Sequence, residues 1–228
     1  MPLSITIPFS DTGEHHGIIN TLNKEYGINL LGQNWVSLSS SNAYTGNINT
    51  LVNHGTGHYQ SRDTSKKNTY IQVSFLKGFV FPTGYTLKGV KGGYSYSKSW
   101  YVYGIHEGDE SDESKWDILG VNDTTQSTYC QTLYYSNNNC DDDRVGSFSL
   151  KSMPSSRGYK HLRWKLKEPN LDIVHAFITA GIDVYGTLSN DPFRVLRNGK
   201  SHCYFNKNLL LVSLLFENLL ILRNSVSK

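Results

Sequence analysis

Residues 99–121 read SWYVYGIHEGDESDESKWDILGV. Trp100, Val102 and Gly104 fall on one face of an extended strand, and Tyr101, Tyr103 and Ile105 fall on the other. A strand that is apolar on both faces is expected between two layers. The acidic run EGDESDES follows at once, and a second strand starts at Trp116. The stretch therefore predicts a hairpin with a long charged tip, hung on an aromatic core strand.

Working outward, the same signals recur. Tyr70 to Leu76 alternates, with Ile71, Val73 and Phe75 inward and Tyr70, Gln72 and Ser74 outward. Gly158 to Glu168 alternates most clearly: Leu162, Trp164 and Leu166 form a core face, and His161, Arg163, Lys165 and Lys167 form a basic stripe. Tyr85 to Val90, Val145 to Leu150 and two runs between Ile173 and Thr187 also read as strands, and Pro82-Thr83-Gly84 reads as a turn. Residues 5–9 form a short extended segment. Ile18, Ile19, Leu22 and Tyr26 recur at helical spacing before Gly27, which predicts a short helix from about Gly17 to Tyr26. Trp35, Val36 and Leu38 open a strand, and residues 41–69 read as one long loop rich in Asn, Gly, Ser and Thr. The 228 residues, with 15 Tyr and 20 Gly, suit an all-β domain large enough to bury its own core.

The net charge of +3 is uneven. Residues 188–228 hold six basic and two acidic side chains, which leaves 16 basic and 17 acidic in residues 1–187. That balance does not supply the basic field of a nucleic-acid protein. Residues 1–188 are expected to form one domain, with 189–228 a basic and apolar C-terminal extension. Leu209 to Leu222 is almost wholly apolar. As a helix it would reach about 21 Å, short of a bilayer core of about 30 Å, so a helix covered by its own chain or by a partner is expected, and membrane binding is not. Cys130, Cys140 and Cys203 show no CxxC spacing and suggest reduced thiols. The N-terminal residues lack a basic region and a long apolar run, so an intracellular location is expected.

No motif supports catalysis. There is no G-x-S-x-G elbow, and Gly199-Lys200-Ser201 lacks the earlier glycine of a phosphate loop, with Arg194 in its place. His54 and His58 lie in a glycine-rich loop, and no metal or cofactor is assigned. Asp109, Glu110, Asp112 and Glu113, or Asp141, Asp142 and Asp143, supply oxygen ligands for calcium, neither set with the spacing or turn glycine of a dedicated cage.

Taken in order, VSLSSS (36–41), YQS (59–61), YIQVSF (70–75), YTLKGV (85–90), KSWYVYG (98–104), KWDIL (115–119), YKHLRW (159–164) and GIDVYGTL (181–188) resemble the discoidin-like family, also called the coagulation factor 5/8 type C or galactose-binding-like domain. The helical segment GIINTLNKEYG resembles that of intracellular members in unicellular eukaryotes. The resemblance implies an all-β jelly-roll β-sandwich with a short N-terminal helix and a C-terminal Leu-rich extension.

Two non-catalytic functions follow as expectations. The first is a protein-interaction or structural subunit of a larger intracellular assembly, cytoskeletal, flagellar or microtubule-associated. Its protein partners would dock on Arg163, Lys165 and Lys167 and on Leu211, Leu215 and Phe216 of the tail. The alternative is a soluble carbohydrate-binding, lectin-like module. A glycan needs an aromatic platform beside polar donors, which His58, Tyr59, Arg62, Tyr94 and Tyr96 would supply.

Overall fold

The computed structural model describes residues 4–12, 14–53, 57–62, 68–89, 97, 99–123, 145–150, 155–167 and 176–193, and of Arg62 and Asp123 the backbone only. Two antiparallel sheets face each other. The first has four strands in the order β1 (Ser4–Ile7), β12 (Gly181–Ser189), β6 (Phe79–Lys88) and β9 (Val145–Ser149). The second has five: β2 (Val36–Ser40), β5 (Tyr70–Phe75), β10 (His161–Leu166), β7 (Ser99–Ile105) and β8 (Asp117–Asp123). A small third sheet, β11 (Ala176–Thr179), β4 (Tyr59–Arg62) and β3 (Ala43–Gly46), lies among the long connections. The antiparallel β-sandwich that the resemblance implies is what the described residues form.

The core is aromatic, as the 99–105 segment suggested. Trp100 of β7 donates its indole N–H to the Tyr85 hydroxyl of β6 at 2.9 Å. Tyr85 also meets Trp164 edge-on and stacks on Phe148 of β9. These contacts join the two sheets through their inner faces. Burial drives the Tyr85 hydroxyl's pKa far up, so it stays protonated and able to donate.

The outer residues of β7 depart from expectation. Tyr101 and Tyr103 are half-buried on the outer face, where Tyr103 meets Trp116 at 5.7 Å, so β7 is buried fully on one face only. Pro82-Thr83-Gly84 is not a turn, because β6 runs straight through it. The register opposite shifts at Tyr185/Gly186, and Gly186 adopts φ +130°, a conformation that favours glycine. A bulge there accommodates a proline inside a strand.

The N-terminal helix forms as α1 (Ile18–Asn20), continues as a π turn (Thr21–Glu25), and stops at Gly27 with φ +63°. Ile18, Ile19 and Leu22 are fully buried. Asp183 of β12 fixes the start of this segment: its carboxylate accepts from the N–H groups of Gly17 at 2.7 Å and Ile19 at 2.9 Å. A Cβ on Gly17 would lie 2.5 Å from the Val184 carbonyl, so the approach needs glycine. Residues 41–69 are not one loop, since β3, α2 (Thr50–Asn53) and β4 occur within them.

Candidate functional site

Antiparallel pairing sorts the connections to two ends. His161 pairs with Ile105, and Leu166 with Trp100. The 106–116 tip therefore leaves β7 at one end. The starts of β5 and β7 and the end of β10 lie at the other, the loop end.

At the loop end, the glycan candidates among the described residues do not form an open platform. Tyr59 is 2% exposed, and its hydroxyl shares a hydrogen bond of 2.5 Å with Ser40 Oγ. It is held between Gly46 of β3 and Thr179 of β11, so its ring has no open face for a sugar. This corrects its assignment as a platform. His58 is half-exposed, and its carbonyl abuts Gly46 of β3. Arg62 pairs through its backbone with Ala176, and its side chain lies outside the described residues, as do Tyr94 and Tyr96.

Among the described residues of the loop end, an aromatic that is exposed is Tyr44, at 58%. It sits at the register shift between Ala43 and Thr45, on a strand exposed along its length. Thr45 pairs with Gln60 of β4. Beyond Gly46, Asn47 caps the following turn, accepting the Asn49 N–H at 2.9 Å. The exposed ring thus lies on a strand whose pairing partner carries Gln60. The signal for it was an aromatic inside an Asn-, Gly- and Thr-rich run, in a segment without apolar periodicity.

Along the outer face of β10, the basic stripe is not an open surface. His161, Arg163 and Lys165 do share the outer face of β10, as the alternation predicts. The acidic tip folds back over them. Lys165 donates to both oxygens of Glu113 at 3.0 and 3.1 Å. Lys160 reaches Glu107 at 4.0 Å and donates to the Leu76 carbonyl at 3.1 Å. Arg163 lies between the rings of Tyr70 and Trp116, at 4.1 and 4.2 Å, and donates through Nε to Gln72 Oε1 at 2.8 Å. Burial holds its pKa below the usual guanidinium value. This corrects the reading of the stripe as a free docking surface. The tail residues Leu211, Leu215 and Phe216 lie outside the described residues.

His161 joins a carboxylate to a hydroxyl: Nε2 meets Glu110 Oε1 at 2.6 Å, and Nδ1 meets Ser74 Oγ at 2.8 Å. Burial lowers the His161 pKa, opposed by Glu110. In the neutral ring the carboxylate can only accept, so Nε2 carries the proton and Ser74 donates to Nδ1. The order is that of an activated serine. Ser74, however, is buried in mid-strand, and its oxygen accepts from Gln72 Nε2 at 3.1 Å. The chain fastens the tip to the sheet.

The other carboxylates of the tip are also engaged. Asp109 and Asp112 meet Lys115 at 3.4 and 3.6 Å, and Asp112 also accepts from Ser114. Among the described residues, no three His, Cys, Asp or Glu side chains are grouped to hold a metal ion, so a calcium site in the tip gains no support. Among those residues, too, no helix is long and apolar enough to cross a membrane. The root of the tip is firmer. Tyr159 donates to Asp117 at 2.8 Å, and the His106 ring stacks on Tyr159 at 4.7 Å.

No family model matches the sequence, and none of the curated proteins matches it significantly. Solved structures do show similarity. The family 32 CBM from C. perfringens NanJ, in complex with galactose, is 8% identical, with 67% of this chain and 95% of that chain covered and a TM-score of 0.45. The CBM32-1 and CBM32-2 domains from Clostridium perfringens ZmpB are 11% identical, covering 80% and 42%, at 0.49. A fucolectin from striped bass serum is 7% identical, covering 67% and 45%, at 0.46.

Proposed function

We propose that the protein is a non-catalytic carbohydrate-binding module that takes a sugar at its loop end. One observation carries this reading: Tyr44 presents an exposed aromatic ring on an exposed strand, whose next residue, Thr45, pairs with Gln60. A sugar needs a flat apolar surface for its C–H face and hydrogen-bonding groups around it for its hydroxyls. The sequence's resemblance to discoidin-like domains supports the same class of ligand. The cytoskeletal or microtubule reading drew on an open basic stripe, and the acidic tip already occupies that stripe. A non-catalytic role is supported by Ser74, whose hydroxyl is tied up on both sides and buried.

A glycan array with the full chain and its Tyr44→Ala variant tests the proposal. The wild type should bind a subset of glycans, and the variant should bind the same set at least about 10-fold more weakly, the scale of a lost ring contact. Binding to no glycan, or equal binding by both proteins, would overturn it.

A further inference from the structure

Residues 107–115 carry no apolar side chain. They nevertheless lie along β10. Glu107, Glu110 and Glu113, each three residues from the next, reach Lys160, His161 and Lys165. The carboxylates are the exposed members of these pairs, at 60, 43 and 61% of the side chain. The basic side chains beneath, two lysines and the His161 ring, are largely covered, at 14, 12 and 15%. The tip is thus a layer of acidic peptide laid over a cationic strip.

From this we infer that the outer face of β10 is a docking surface for an acidic peptide segment of a partner protein, and that residues 107–114 are its built-in competitor. The face shows what chemistry it accepts, because it already holds a peptide whose glutamates pair with its cations. His161, Arg163 and Lys165 stand on alternate positions, about 7 Å apart, a spacing that an extended acidic segment can follow. Arg163 is already fixed between Tyr70 and Trp116, so little of its freedom remains to be lost on binding.

The cover is displaceable for a physical reason. Ion pairs with exposed members are weak, roughly 2- to 5-fold each in an equilibrium. The root at His106, Trp116 and Asp117 stays anchored to the core through Tyr159 and Tyr103. A partner then binds with an affinity scaled by the fraction of time the face is uncovered.

The probe is a labelled synthetic octapeptide with the sequence of residues 107–114, EGDESDES, titrated by fluorescence anisotropy into the full chain. The Glu110→Gln/Glu113→Gln variant should bind it about 5- to 30-fold tighter than wild type, with Lys165→Gln reversing the gain. The Asp11→Asn/Glu25→Gln variant, of equal net charge, should bind as wild type does. Three results would overturn the inference: no gain in the hairpin variant, an equal gain in the charge-matched control, or an oligogalacturonate probe that gains as much as the peptide. A loss of cooperative melting in the hairpin variant would also overturn it, because the tip would then be part of the fold and not a cover.

Discussion

Residues 14–22 cover the outer face of the four-stranded sheet, and residues 106–116 cover that of the five-stranded sheet, by opposite means. The N-terminal cover buries Ile18, Ile19 and Leu22 and feeds backbone N–H groups to the inaccessible carboxylate of Asp183. Tyr185 adds a bond of 2.7 Å to the Glu14 carbonyl, and His15 meets Thr86 at 2.8 Å. The acidic cover contributes no apolar group between Glu107 and Lys115 and holds on through exposed carboxylates. Buried groups must keep their partners, whereas exposed charges can exchange theirs for water. One cover belongs to the fold, and the other rests upon it.

The contrast breaks most readily at Asp183. Asp183→Ala leaves the Gly17 and Ile19 N–H groups buried without an acceptor and should cost about 2–4 kcal/mol in urea unfolding. A loss below about 0.5 kcal/mol would remove the distinction between the covers.

Acid should act on the two covers with opposite sign. Burial pushes the Asp183 carboxyl up to about 6, against the pull of the amides of Val184, Gly17, Ile19 and Asn20. A carboxyl raised above its ordinary 3.8 favours the protonated fold. Its contribution is complete below about pH 4 and is lost as the pH climbs through 6, an effect of about 3 kcal/mol. His161 is shifted down by burial, and Glu110 is shifted down chiefly by its own backbone N–H, with help from His161. Their contributions are present at neutral pH and fall as the pH drops. Between pH 7 and 4, amide exchange corrected for intrinsic rates should slow or hold at residues 17–22 and quicken at 107–115. The Asp183→Asn variant should lose the acid-side gain in stability. Exchange that moves in the same direction at both covers would contradict this account.

The smallest effect is expected at Glu113→Gln. It removes a pair whose carboxylate is mostly in water, so the melting midpoint should change little, by less than about 1 kcal/mol in stability. A larger loss would mean that the tip is structural.

The sequence carried the local patterns well and the non-local pairings poorly. Leu162, Trp164 and Leu166 alternate with His161, Arg163 and Lys165, and β10 keeps that alternation. The helix at 18–25 and its stop at Gly27 were also legible, because capping and periodicity are local. The strand through Pro82 was not, because the bulge at Thr83 forms only against Tyr185 and Gly186, a hundred residues away. Nor were β3 and β4, since β4 pairs with β11 near the end of the domain. The cover over the stripe joins groups about 50 residues apart, and each charge taken singly looks solvated. At the loop end, Tyr59 stood out as the aromatic beside His58, but only the pairing shows that it is buried and that Tyr44 faces water.

On the proposed function, the loop end takes a sugar while the acidic tip does not. Chemical-shift mapping of the labelled full chain, titrated with galactose, N-acetylgalactosamine and fucose, tests both halves at once. The predicted result is movement of the Tyr44, Thr45, His58 and Gln60 amides with at least one sugar, and no movement of the Trp116 indole. Shifts confined to Trp116 and the 107–115 tip, or none with any of the three, would contradict it.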